Sequence, residues 1–176
     1  MSDKQIETIV LGGGCFWCLD AAYKLLKGVV TVEEGYSGGS VKNPTDEQIY
    51  AQNTGHAEVV RITYDSLIIK LEDILEIFWT IHDPTTLNRQ GNDVGRQYRS
   101  IIFYSSTEQR RVAEEAKKKA QNVWGDKIVT EIAKFESFYP AAEYHKNYKI
   151  NRPDYCQIII NPKLKKLREK FASRIA

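Results

Sequence analysis

The 176-residue chain predicts an α+β sandwich in preference to a doubly wound α/β sheet. Strand-like runs and helical periods mix along it without strict alternation of strand and helix. Two long polar excursions, over residues 40–55 and 83–97, interrupt the regular elements, and loops of that length in a compact domain are usually functional or disordered. No internal repeat, low-complexity tract or linker marks a second domain, so residues 1–176 are expected to form one.

Ile9-Val10-Leu11 is an apolar run. Gly12-Gly13-Gly14 follows, then Phe16, Leu19, Tyr23 and Leu26 at helical spacing, which predicts strand, tight turn and helix with Cys15 in the first helical turn. Val29-Val30-Thr31-Val32 reads as a strand leading into a glycine-punctuated loop, Glu34 to Gly39. The excursion after it holds Asn43-Pro44 and Asn53-Thr54-Gly55, with a helical turn expected near Glu47. His56 to Tyr64 is a strong strand. Its period of two puts Glu58 on one face with Val60, Ile62 and Tyr64, and Arg61 and Thr63 on the other.

Leu71, Ile74, Leu75, Phe78 and Trp79 predict an amphipathic helix over 71–82, stopped by His82-Asp83-Pro84. Ser100 to Tyr104 reads as a strand. Ser106 and Gln109 form a capping box for a helix reaching about Trp124, with Val112, Ala116, Ala120 and Val123 inward and Gly125 as terminator. A strand over Ile128–Phe135, a short helical piece around Glu143-Tyr144-His145 and a strand over Tyr155–Ile160 follow. Asn161-Pro162 then caps a basic amphipathic helix over about 162–174, with Leu164, Leu167 and Phe171 on one side.

A hydrophobic content of 42% and a charged content of 27% are ordinary for a globular protein. The net charge of +2 is too small to argue for a nucleic-acid partner, and Lys117-Lys118-Lys119 reads as a solvated helix face. No window suits a membrane span, and Met1 to Gln5 lacks the apolar core of a signal peptide. Three cysteines, an odd number, favour functional thiols in a reducing compartment, so the cytoplasm is expected.

The chemistry centres on Gly12 to Cys18. A helix start favours a thiolate, which makes Cys15 a candidate low-pKa nucleophile, and Cys18 is close enough in sequence for a disulfide to be an option. Glu58, at the start of a buried strand face, is a carboxyl whose pKa burial would raise, suited to protonating a leaving oxygen. Tyr36 and Tyr98 offer phenols to that oxygen, and Phe16 and Trp17 offer aromatic walls to a methyl or sulfur-bearing group. Plainer readings exist for several of these: a strand-end pair of Glu58 with Arg61, packing tyrosines, and turn chemistry for Asp93. Phe78, Trp79 and Trp124 read as core, and His56, His82 and His145 are too scattered for a metal site.

Taken together, Gly14-Cys15-Phe16-Trp17, Gly35-Tyr36-Ser37-Gly38-Gly39, Asn43-Pro44-Thr45, Thr54-Gly55-His56-Ala57-Glu58, Arg89-Gln90-Gly91-Asn92-Asp93-Val94-Gly95 and Gln97-Tyr98-Arg99-Ser100 resemble the signatures of peptide methionine sulfoxide reductase A. The resemblance runs in order from about residue 8 to residue 156. It implies a two-layer α/β sandwich with a mixed sheet and a ferredoxin-like core, making residues 1–176 a single catalytic domain.

By that resemblance Cys15 attacks the sulfur of methionine-S-sulfoxide, free or in oxidised proteins, and becomes a sulfenic acid. Glu58 protonates the sulfoxide oxygen, Tyr36 and Tyr98 hold it, and Asp93 helps position the site. Phe16 and Trp17 surround the substrate's ε-methyl. A second thiol then traps the intermediate as a disulfide that thioredoxin, or another external dithiol, reduces; no cofactor or metal is implied. Cys156 resembles the resolving position of other members, while Cys18, where many members have glycine or serine, is an additional candidate. Some members carry a further cysteine in a glycine-rich tail; here the stretch from Asn161 is lysine-rich and helical, so the longer disulfide relay is not expected. Two other functions fit a Cys-x-x-Cys after a strand less well: a thioredoxin-like thiol–disulfide oxidoreductase, against which bulky Phe16-Trp17 counts, and a noncatalytic module binding methionine-rich peptides.

Overall fold

A computed structural model describes residues 3–51 and 53–176. Strand β1 (Ile6–Gly12) lies at the centre of a six-stranded mixed sheet. After the glycine turn the chain forms helix α1 (Phe16–Tyr23) and returns as β2 (Val29–Ser37). A short helix α2 (Asp46–Tyr50) lies in the excursion before β3 (Ala57–Asp65). Helix α3 (Leu71–Ile81) then leads to a small hairpin of β4 (Arg89–Gln90) and β5 (Asp93–Val94), and a 3₁₀ turn at Arg96–Tyr98 precedes β6 (Ile101–Tyr104). Helix α4 (Thr107–Trp124), β7 (Glu131–Lys134) and β8 (Tyr139–Pro140) follow.

The sheet order is β7-β6-β1-β3-β2-β8, antiparallel except for the parallel β6–β7 pair. Register places Leu11 opposite Val60, Gly12 opposite Ile101 and Tyr36 opposite Glu58. The carboxyl ends of β1 and β2 therefore meet the amino ends of β3 and β6 at one end of the sheet. Every long excursion leaves or rejoins the sheet there.

Alternation along β3 decides which face each residue serves. Val60, Ile62 and Tyr64 join the main core with Leu19 and Tyr23 of α1, Ile74, Leu75 and Phe78 of α3, and Val112 and Ala113 of α4. Ala57 and Val59 join a smaller cluster on the other face with Val10, Ile101 and Phe103. Helix α1 is buried on almost every side, because Cys18 and Ala21 pack against Tyr148 and Ile160 of the carboxy-terminal segment. Each fully buried aliphatic or aromatic side chain of this kind contributes roughly 1.5–3 kcal/mol.

Several sequence expectations need correction. Glu34 to Ser37 is not a loop: β2 runs through Ser37, paired with β3 and β8. On α4, Ala113 is buried while Val123 is 84% exposed, and in the last turn it is Trp124 that packs against the core. Ser106 Oγ accepts from the Gln109 backbone N–H at 3.1 Å, as expected of the cap, but the Gln109 side-chain oxygen accepts from the N–H of Ser105 at 2.7 Å rather than from that of Ser106, so the box is only half formed. The strand expected over Ile128–Phe135 is confined to β7.

The largest correction is Tyr155–Ile160, which is helical. A 3₁₀ turn at Glu143–Asn147 and helix α5 (Tyr148–Asn151) lead into α6 (Pro153–Tyr155), a π-helical turn (Cys156–Ile160) and α7 (Asn161–Lys170). Pro153 starts this run at a first-turn position. Pro162, which has no N–H to give, follows directly on the wide turn. Packing of Ile160 and Leu164 beside Cys18 and Ala21 overrides the strand preference of three consecutive isoleucines. Asn161-Pro162 thus continues a helix rather than starting one. A 3₁₀ turn at Ala172–Arg174 ends the chain's last helical run, where Arg174 pairs with Asp73 at 2.8 Å. Among the described residues no helix is long and apolar enough to cross a membrane.

Candidate active site

Residues Cys15, Phe16, Trp17, Tyr50, Glu58, Asp93, Tyr98, His145, Arg152 and Tyr155 line a cavity of about 230 Å³ at the end of the sheet where the four strands meet. Cys15 is the N-cap of α1, one position before the first helical residue, and is half-buried. Gly14 turns the chain into it with φ +89°, a conformation open to glycine. The Phe16 N–H does not serve the thiol. It donates to Glu58 Oε1 at 3.2 Å, so the acid of β3 occupies the helix start.

Electrostatics divide these two groups from their ordinary forms in the same direction. Glu58 is 3% exposed, and burial raises its carboxyl to about 8, against a smaller opposing effect of the Phe16 N–H. At neutral pH it is a carboxylic acid. Burial also pushes the Cys15 thiol well above its usual range; the nearby Glu58 and Cys18 add to this, and the Trp17 N–H and Tyr155 hydroxyl oppose it. The low-pKa thiolate expected from a helix start is therefore corrected: desolvation outweighs the helix end.

The tyrosines separate. Tyr98, placed by the 3₁₀ turn before β6, lines the cavity, and its carbonyl accepts from the Gly14 N–H at 3.2 Å. Tyr36 is 2% exposed and does not line the cavity: its hydroxyl donates to Asp46 Oδ1 at 2.6 Å and its ring lies 5.7 Å from that of Phe16. Asp46, at the start of α2, also accepts from Tyr144 Oη and sits 3.0 Å from His145 Nε2. A phenol to carboxylate hydrogen bond is among the stronger neutral–charged kinds, which explains why Tyr36 turns away.

Asp93 Oδ2 accepts from Tyr155 Oη at 3.2 Å, and the same hydroxyl lies 3.7 Å from Cys18 Sγ. Phe16 is flanked edge-on by His145 at 5.0 Å. Trp17 stacks on Tyr148 at 5.6 Å and meets Tyr155 edge-on at 5.5 Å. Cys18 is buried, Cys156 half-buried, and both belong to the cluster around Tyr148; all three cysteines are free. Cys156 sits on the π-helical turn, with Sγ 3.9 Å from the Tyr148 carbonyl oxygen.

Sequence reasoning missed Tyr50, His145, Arg152 and Tyr155. His145 and Tyr148 stand three apart, the spacing at which two side chains share one helical face, and both contact Trp17. That spacing was a usable signal. Tyr155 was hidden by the strand reading. Among the described residues no group of three or more His, Cys, Asp or Glu side chains is placed to hold a metal.

A half-buried thiol beside a protonated carboxylic acid, framed by aromatic rings on an α+β scaffold, is the arrangement of a thiol-dependent oxidoreductase. Comparison with known proteins makes this specific: the family model for peptide methionine sulfoxide reductase matches residues 7–175. A peptide methionine sulfoxide reductase MsrA of Saccharolobus solfataricus is 54% identical over 172 residues, covering 97% of each chain. One from Sulfolobus acidocaldarius is 53% identical, covering 96% of this chain and 97% of its own. Among solved structures, Mxr1 from Saccharomyces cerevisiae in reduced form aligns with a TM-score of 0.80 and 33% identity, covering 85% of this chain and 87% of that one. Mxr1 in complex with Trx2 aligns at 0.60 with 27% identity, covering 81% and 85%. The chain belongs to the peptide methionine sulfoxide reductase family and is an enzyme that reduces methionine sulfoxide. That membership replaces both the thioredoxin-like and the noncatalytic alternatives.

Proposed function

We propose that Cys15 is the nucleophile and Glu58 the acid in reduction of methionine-S-sulfoxide. The observation that carries this is the shared cavity of a thiol and a carboxyl that is raised to about 8 and so holds its proton at neutral pH. Glu58 gives that proton to the sulfoxide oxygen as the Cys15 sulfur attacks the sulfoxide sulfur. The thiol proton passes back to the Glu58 carboxylate, and the oxygen ends on Cys15. Methionine leaves reduced by two electrons and Cys15 becomes a sulfenic acid.

Tyr98 hydrogen-bonds the oxygen as charge builds on it. Asp93 acts through Tyr155 to hold the far wall. Phe16 and Trp17 enclose the ε-methyl, and Tyr36 supports Phe16 from behind rather than touching substrate. Cys18 or Cys156 then forms a disulfide with Cys15 and releases water. An external dithiol returns the enzyme to its starting state without a prosthetic cofactor; thioredoxin is the natural choice, supported by the solved Mxr1–Trx2 complex.

We also read the scaffold as a two-layer sandwich with a ferredoxin-like core, in support of which β1-α1-β2-β3-α3-β6 gives the antiparallel order β6-β1-β3-β2. Residues 1–176 act as one catalytic domain with the basic carboxy-terminal helix packed on α1 and α3. Three free cysteines suit a reducing cytoplasm and a role in repairing oxidised proteins. The test is Cys15→Ser assayed for methionine formation from methionine-S-sulfoxide with a dithiol. Complete loss is expected, and retained turnover would remove Cys15 from the mechanism.

A further inference from the structure

Gln90 lies beside the reacting groups without lining the cavity, and its side chain is held from both ends. Its Oε1 accepts from the Asp83 N–H at 2.9 Å and its Nε2 donates to the Asp83 carbonyl at 2.9 Å. One amide thus satisfies both backbone groups of the residue that follows the α3 cap. Through β4–β5 pairing Gln90 stands opposite Asp93.

The methylenes of the same side chain lie on the cysteine turn. A Cβ added to Gly14 would come within 2.6 Å of Gln90 Cγ and 2.9 Å of its Cβ. On the neighbouring residue, a Cβ added to Gly13 would meet Phe78 and His82 at 3.1 Å each. That second wall is itself fixed, since His82 Nδ1 lies 2.5 Å from the Phe78 carbonyl oxygen and Nε2 lies 2.8 Å from Ser100 Oγ. The Gly14 N–H is taken by the Tyr98 carbonyl. The turn before Cys15 is therefore gripped by the end of α3, by Gln90 and by the backbone of Tyr98.

We propose that Gln90 is a positioning residue that locks the Gly13-Gly14-Cys15 turn against the loop carrying Asp93 and Tyr98, and so fixes the thiol relative to the groups that handle the sulfoxide oxygen. This rests on the reading of Cys15 as nucleophile. Gln90 transfers no proton and touches no substrate; it acts through Gly14 on one side and the hairpin on the other.

The test compares Gln90→Ala, which removes the whole contact, with Gln90→Met, which keeps methylenes over Gly14 but loses both hydrogen bonds. Two rates are measured: single-turnover oxidation of Cys15 by a methionine-sulfoxide peptide, and alkylation of Cys15 by iodoacetamide, located by mass spectrometry. Alkylation needs the thiolate but none of the oxygen-handling groups. Expected for Gln90→Ala is a loss of about 100-fold in the maximal single-turnover rate, with half-saturation and alkylation each within about threefold of the parent. Gln90→Met falls between, and carries the test if the alanine variant does not fold. A maximal rate within about threefold of the parent, a loss confined to half-saturation, or an equal loss in alkylation would overturn the proposal. Cys15→Ser run alongside separates the two claims: turnover in that variant sinks the nucleophile itself, whereas a dead serine variant with an unimpaired Gln90→Ala sinks only the positioning role.

Discussion

Replacing Glu58 by glutamine should make the enzyme more stable and less active, and the stability gain should depend on pH. A carboxyl raised on folding from 4.5 to about 8 binds its proton more tightly in the folded chain. Its contribution to stability is fully present below the unfolded value and is lost as pH rises through the folded one. The window runs from 4.5 to about 8. At about pH 7 the loss amounts to roughly 3 kcal/mol, taking about 1.4 kcal/mol per unit. Glutamine cannot ionise, and its carbonyl can still accept the Phe16 N–H. Relative to wild type, Glu58→Gln should therefore melt about 6–12 °C higher near pH 7, with little difference near pH 4.5. Glu34, also raised to about 8 by burial and then by Asp20, titrates in both proteins and cancels in the difference. Stopped-flow single turnovers of the same variant should be slower by about 100-fold or more, because the proton donor is gone. A melting difference that does not grow with pH would refute protonation of Glu58 in the fold; an unchanged single-turnover rate would refute its role as acid.

The remaining expectations concern the tyrosines and the second thiol. Tyr36→Phe should cost about 1.5–3 kcal/mol through the lost Asp46 hydrogen bond and leave single-turnover rates within a few-fold, whereas Tyr98→Phe should slow the chemical step with little loss of stability; a reversed pattern in melts and stopped-flow traces would return the oxygen-binding role to Tyr36. Cys18→Ser and Cys156→Ser should each complete one stoichiometric turnover, and only loss of the true resolver should stop dithiol-driven cycling. Disulfide mapping by mass spectrometry after one turnover identifies the partner of Cys15, and normal cycling in both single variants would mean that the two thiols substitute for each other.

Local rules carried the fold a long way. Three glycines after Ile9-Val10-Leu11 placed the cysteine turn, and the helical period of Leu71 to Trp79 placed α3 almost to the residue. Both are short-range patterns. The failures share a different origin. Helix-end reasoning saw that an N–H is free at the start of α1, yet that N–H is taken by Glu58, 42 residues away, and burial sets the Cys15 thiol. Tyr36 was legible as a phenol near the site, but Asp46 sits in an excursion with no period, so nothing local shows that it captures the hydroxyl. Ile158-Ile159-Ile160 looks like a strand until Pro153 is read as the first-turn proline of a helical run that passes through Pro162.

The Phe16 N–H held by Glu58 has a consequence for what this enzyme survives. An enzyme that works where oxidants are abundant must keep its own sulfur from being consumed by them. Hydrogen peroxide and small disulfides react with thiolates. At rest the two reacting groups are both neutral: Cys15 and Glu58 keep their protons at neutral pH. An oxidised methionine differs from those oxidants in bringing a far more basic oxygen, to which the proposed mechanism has Glu58 give its proton before the carboxylate draws the proton from the thiol. On the proposed mechanism the damaged residue switches on the sulfur that repairs it, and a weakly basic oxidant such as peroxide meets a thiol that keeps its proton.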